Sequence, residues 1–381
     1  MTLTVRTGVV MGAIWLWCLA GSTVRAVDVA DGVPPVRLER LTRGINISDW
    51  AARLPELPTE RLKVDLAKDV ALIKAMGFRH VRFMIGDETL ADKDTPTVLN
   101  AEKTSRFDAA LDLLLEAALA VIIDFSPADE LKKAVEKDDA AVAKFVGMWR
   151  VMAKHLARRD PGMVFLEVMN EPVIRDTQRW NVVQKKALAA MREEVPQHTL
   201  IATAPEWSEI YLLEKVDVVA DRNVIYNIHC YEPVRFTHQN APWVGEWVKG
   251  LLNAPYPSSP EAVARVLDGL PDAAARQLMI KYGEENWNAA KIEEVIAEGA
   301  AWAAKHGVHL TCNEFGVYRK APAADRNRCI EDTRKALEKH AIGWSMWDYA
   351  TEFGVATGEP GRRVADLDTL KALGLSLRHN P

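Results

Sequence analysis

The sequence is poor in cysteine, has no basic cluster and, beyond its first residues, contains no long apolar run. Four cysteines among 381 residues do not make a disulfide framework. Cys18 falls in the N-terminal apolar run, leaving Cys230, Cys312 and Cys329, an odd number. A Cys230 to Cys312 bridge is conceivable in an oxidising compartment, but buried free thiols are the favoured reading. A formal net charge of −5 without clustered Lys and Arg gives no electrostatic case for binding nucleic acid. The nine histidines show no H-x-H or H-E-x-x-H spacing, and there is neither a Gly-rich phosphate loop nor a G-x-S-x-G elbow. No metal, no cofactor and no esterase nucleophile is therefore expected. Nothing in the sequence specifies an oligomeric state.

Residues 1–26, "MTLTVRTGVVMGAIWLWCLAGSTVRA", combine an early arginine, an apolar run from Gly8 to Gly21 and small residues near the end. That is the build of a cleavable export signal. The run is shorter than the roughly 20 residues of a membrane span, and Trp17 before Cys18 is too bulky for a lipid-attachment site. The expectation is a secreted or periplasmic chain, 27–381, with no membrane attachment once the signal is removed.

Within it no linker or fixed-period repeat appears, so a single domain is expected. Short apolar runs alternate with amphipathic stretches. Strands are predicted over 43–47, 78–84, 120–125, 163–169, 199–204, 224–231, 309–315 and 343–349. Helices are predicted over 60–76, 105–119, 139–158, 179–195, 208–215, 289–306, 325–340 and 365–374. Eight strands each followed by a helix predict an α/β fold, a parallel (β/α)8 TIM barrel. The connection after the sixth strand, 232–288, is far longer than an ordinary loop and must emerge on the face where such barrels carry their sites.

Two strands end in carboxylates. In "FLEVMNEP" (165–172) strict alternation places Glu167 and Glu171 on one face, with Glu171 at the rim and Pro172 fixing the exit. "HLTCNEFG" (309–316) ends the same way at Glu314. Two carboxyl groups across a barrel mouth suit acetal hydrolysis, in which one protonates the leaving oxygen and the other attacks the anomeric carbon. Glu167, deeper in the strand, reads as inward, paired and structural, and Asp124 at the third strand's end reads at least as well as an arginine partner.

From "RGINISDW" through "GFRHVRF", "FLEVMNEP", "NIHCY" and "CNEFG" to "WSMW", the chain resembles glycoside hydrolase family 5, the family of many endoglucanases and mannanases. The resemblance implies that Glu171 is the general acid/base and Glu314 the nucleophile of a retaining mechanism. It further implies that Asn170 binds the 2-hydroxyl of the sugar being cleaved, that Arg82 and Tyr231 orient the nucleophile, that His229 neighbours the acid/base, and that Trp347 is a stacking platform. Arg82 beside Glu314 is expected to favour its charged form, while Glu171, facing that charge, is expected to stay protonated longer. A departure from the family stands at "IIDFSPADE": Ser126 occupies the place of a histidine that contacts sugar.

Asn46, Trp50, Trp207 and Trp243 are placed with the substrate-binding residues. Seven tryptophans (Trp50, Trp180, Trp207, Trp243, Trp247, Trp287, Trp347) fall near strand exits, as a cleft that stacks on sugar C–H faces would require. Trp149, Trp302 and Trp344 are assigned to the core. The expected activity is retaining hydrolysis of a β-linked glycan, best matched by an endo-β-1,4-glucanase, with mannanase and β-1,3-glucanase as alternatives. Competing readings are a catalytically impaired glycan-binding barrel, marked by Ser126, and a metal-dependent hydrolase using Asp124, His229 and Glu314.

Overall fold

The computed structural model describes residues 32–54 and 59–378; the expected export signal at 1–26 lies outside them. Eight parallel strands close into a barrel in chain order: β1 (Arg43–Ile47), β2 (His80–Ile85), β3 (Ala120–Phe125), β4 (Val164–Glu167), β5 (Leu200–Thr203), β6 (Val224–His229), β7 (His309–Phe315) and β8 (Gly343–Met346). β8 returns to β1 through the register Arg43 to Trp344. Helices Thr59–Ala75, Ala101–Glu116, Asp139–Leu156, Thr177–Glu194, Ala289–His306 and Ala323–Lys339 wrap the outside. Several begin where a side chain accepts from the first free amides, as Asn100, Asp138, Asp176 and Asn288 do. The helix ending at His306 stops at Gly307, whose left-handed backbone favours glycine.

The strands read as apolar runs because both faces are covered. The outer face packs on the helices through residues such as Val121, Ile123 and Leu166. Inside, the N-terminal end is plugged by Val33, Leu41, Ile122, Phe165, Ile201 and Ile225 beneath the short helix Pro35–Arg40. Gly44 must be a glycine: a Cβ there would lie 2.0 Å from His80 Nε2. Above the apolar plug the interior turns polar, with Asn46, Arg82, Asp124, Glu167, Asn227 and Asn313 all fully buried. That layer sits below the C-terminal rim.

Several expected boundaries shift. β4 ends at Glu167 and β8 at Met346, because the chain turns sharply at both exits to present side chains over the barrel mouth. In place of a helix over 208–215 there is a turn at Pro205–Ser208 and a 3-10 segment at Ile210–Lys215. Glu206, Trp207 and Ser208 have positive φ, which no α-helix accommodates. Two antiparallel ribbons, Ala91–Asp92 with Thr95–Leu99 and Ala356–Thr357 with Val364–Ala365, were not expected. The connection 232–288 is packed rather than loose: it carries the helices Pro260–Ala264 and Ala273–Glu284, and buries Phe236, Leu251, Tyr256, Met279 and Tyr282 in the main core. Cys230, Cys312 and Cys329 are buried free thiols. Among the described residues no helix is long and apolar enough to cross a membrane.

Candidate active site

Arg82, projecting inward from β2, organises the rim. Its guanidinium donates to Glu167 twice (Nε to Oε2, 2.9 Å; Nη2 to Oε1, 2.8 Å), to Asn46 Oδ1 (2.9 Å), to Asn170 Oδ1 (2.9 Å) and to Glu314 Oε1 (2.7 Å). Asp124 lies 3.1 Å from the same group. Burial opposes the charge, but Asp124, Glu167 and Glu314 hold Arg82 firmly protonated. Asp124 keeps its own proton well above the usual carboxylate range, because burial and the nearby Glu167 and Glu314 outweigh Arg82.

Glu314 reaches Arg82 through a defect in β7. Opposite Ile228 and His229 stand Cys312 and Glu314, so Asn313 is an extra residue on that strand. A bulge of this kind suspends alternation, and both neighbours turn inward. Asn313 Nδ2 donates to Glu167 (2.6 Å), and Glu314 accepts from Arg82 and, through Oε2, from the Tyr231 hydroxyl (2.8 Å). Tyr231 stays a phenol: burial and the charges of Glu314 and Glu171 push its ionisation far up.

Glu171 arrives differently. Alternation from Glu167 is broken after β4 ends, and Glu171 sits at φ +44°, a conformation a non-glycine residue adopts at a cost of about 1–3 kcal/mol. The turn aims its carboxyl at Glu314. His229 Nδ1 lies 3.0 Å from Glu171 Oε1 and 3.5 Å from Glu314 Oε2; all three ligating atoms fall within 4.8 Å of one another. Between and above the two carboxyls opens a cavity of about 280 Å³ lined by Tyr231, Trp243, Trp347 and Phe353, with His238, Thr351 and Glu352 completing the walls.

The electrostatics correct one expectation. Burial pushes the Glu314 carboxyl above its ordinary value, aided by Glu171 and only partly offset by His229 and Arg82. For Glu171 the burial effect is overcome by the His229 hydrogen bond, the charge on that ring, Lys132 and Arg82, leaving it below its ordinary value. The order is thus the reverse of that read from Arg82 alone, because the imidazole at Glu171 contributes what the sequence gave no means of weighing.

Other expected site residues are placed apart. Asn46 is fully buried under the site, its Nδ2 donating to the carbonyls of Asn313 (2.9 Å) and Met346 (3.1 Å), so it braces Arg82 and meets no open space. Trp50 does not reach the cleft: it is wholly buried, edge-on to Phe83 at 5.9 Å, because the turn after β1 folds it back between barrel and helices. Trp180 and Trp287 are likewise buried, whereas Trp207, Trp243 and Trp247 are exposed and only Trp243 lines the cavity. Ser126 borders a separate depression of about 1010 Å³ with Gly86, Asp87, Lys93 and Lys144. Asp124 lies beneath Arg82 and away from the His229 cluster, which removes it from the set a metal-dependent reading needs. His238 and Phe353 were not anticipated; both come from loops, where no periodicity marks them.

Fold and site together define a (β/α)8 barrel with the paired rim carboxylates of a glycoside hydrolase. The chain belongs to the cellulase family, glycosyl hydrolase family 5, whose model matches residues 51–352. It is 25% identical to Endoglucanase 3 of Fibrobacter succinogenes over 93% of this chain and 55% of that protein, so it spans about half the length of that relative. It is also 25% identical to Endoglucanase C of Acetivibrio thermocellus, over 80% of this chain and 90% of the relative. Among solved structures, Thermotoga maritima Cel5A in complex with cellobiose aligns with a TM-score of 0.71 at 26% identity, covering 89% of this chain and 100% of that one. The same protein with mannotriose aligns equally well.

Proposed function

We propose that the protein is an exported endo-β-1,4-glucanase that cleaves its glycan with retention. The observation that carries the mechanism is the approach of Glu171 and Glu314: carboxylate oxygens within 4.8 Å suit the roughly 5–5.5 Å of a retaining pair, not the 6.5–9.5 Å an inverting pair needs for its water. Glu314, held by Arg82 and Tyr231, attacks C1 from one side. Glu171 delivers a proton to the departing glycosidic oxygen, and the 3.0 Å contact with His229 lets that proton be shared between carboxyl and imidazole. In the second half Glu171 takes a proton from water, which releases the sugar from Glu314. Asn170, fixed by Arg82 at 2.9 Å, is the partner for the 2-hydroxyl, and Trp347 and Trp243 supply stacking faces.

The glucan preference rests on the endoglucanases among the relatives. The mannotriose complex of a similar barrel makes β-mannan the second substrate to test. Export rests on the composition of residues 1–26. The deciding experiment incubates the protein with 2-fluoro cellobiosyl and mannobiosyl fluorides and maps the label. A covalent adduct on Glu314 is expected, together with turnover of soluble β-1,4-glucan that E314Q lacks. Wild-type turnover by E314Q, or no adduct with either reagent, refutes the assignment.

A further inference from the structure

Lys132 is a buried cation that the barrel does not need for its own pairing. It lies on the short helix Asp129–Ala134 behind β3 and is only 6% exposed. Among the described residues it has neither a hydrogen bond nor a close ion pair. A lysine so placed is unusual, since burying an ammonium without a partner costs several kcal/mol. The carboxylates facing it are Glu171, Asp124, Asp129 and Glu314, and Glu171 and Asp124 in turn feel its charge. Its field therefore falls on the rim pair from the β3 side, opposite His229 on β6.

We propose that Lys132 is a positioning residue for the acid/base step, its fixed positive charge stabilising the Glu171 carboxylate that forms when the proton passes to the leaving oxygen. The inference rests on the roles proposed above for Glu171 and Glu314. No proton moves to or from Lys132: Glu171 loses its proton to the glycosidic oxygen, the C1–O bond breaks as the bond to Glu314 forms, and the ammonium stays charged throughout. The groups acting on Glu171 are then His229 from β6, Glu314 from β7, Arg82 from β2 and Lys132 from the helix after β3, with Glu209 beyond β5 also within electrostatic reach. Of these, Lys132 alone is a cation with no carboxylate bound directly to it.

The test compares wild type, K132M and K132R on aryl β-cellobiosides of graded leaving-group ability and on cellotetraose, with kcat/KM measured across pH. Losing the cation makes Glu171 a weaker acid. K132M is expected to lose about tenfold on cellotetraose and less than twofold on the dinitrophenyl glycoside, which needs little protonation, and its basic limb moves to higher pH. K132R restores both. An unchanged pH profile and leaving-group dependence in K132M overturns the proposal, as does an equal loss on every substrate, which marks a direct sugar contact instead. Should K132M fail to fold, K132Q carries the same comparison. E314Q in parallel separates the two readings: wild-type turnover by E314Q defeats the parent mechanism, whereas a silent K132M beside a dead E314Q defeats only this inference.

Discussion

Arg82 joins Glu167 to Glu314: one guanidinium donates at 2.8 Å to the first and 2.7 Å to the second. The deeper acid belongs to the scaffold and the outer one to the chemistry, so fold and site share a single cation.

Removing that cation is expected to injure both. R82M leaves Asp124 and Glu167 buried without a counter-charge, and breaking such a pairing costs about 3–5 kcal/mol. Urea unfolding should report the loss, and kcat measured on the folded remainder should fall at least about 100-fold. A variant of normal stability would show that the interior carboxyls are neutral without Arg82.

Tyr231 donates to Glu314, so Y231F removes a hydrogen bond to the charged form and lets Glu314 rise further. An attacking carboxylate must be ionised, and Glu314 already stands above its ordinary value. The acid limb of kcat/KM should accordingly lie above that of a free glutamate in wild type and move to still higher pH in Y231F. A shift toward lower pH would contradict this.

Glu209 is pushed up to about 7 by burial and by Glu232. Its stabilising contribution is complete below pH 4.5 and is lost as pH rises through about 7, since the folded state holds the proton longer. E209Q never ionises and keeps that contribution. The thermal midpoint of E209Q minus that of wild type should grow from pH 5 to pH 8.

The two tryptophans first assigned to the cleft should separate cleanly. W50A empties a filled core site and is expected to cost about 3–5 kcal/mol, with KM unchanged in the molecules that fold. W243A, whose ring is 56% exposed, should leave stability within about 0.5 kcal/mol and raise KM several-fold through lost stacking of order 1 kcal/mol. Melting curves and Michaelis kinetics on a soluble β-glucan distinguish them.

The barrel was legible because its strands are apolar on both faces and bounded by turns: 43–47, 120–125 and 309–315 are observed as read. What alternation could not convey is where it fails. The bulge at Asn313 and the left-handed turn at Glu171 are tertiary outcomes, and together they bring the two carboxyls over one opening. Trp50 misled because an aromatic behind a strand exit looks the same whether the following turn folds it outward or under. The charge order of the pair was misread because it depends on His229 and Lys132, which lie on two different segments and converge only in space. Lys132 itself looks from sequence like any lysine on a solvated helix.

The register of β1 with β8, Arg43 to Trp344, has a consequence for how the chain is made. Each intermediate strand can dock on its predecessor as it leaves the ribosome, but β1 keeps one edge unpaired until residues 343–346 have been synthesised. For most of translation that edge is a template for unwanted strand addition. Closure of the ring is then the same event that delivers Trp347 to the mouth, so a molecule stalled before that point is both sticky and without a finished cleft.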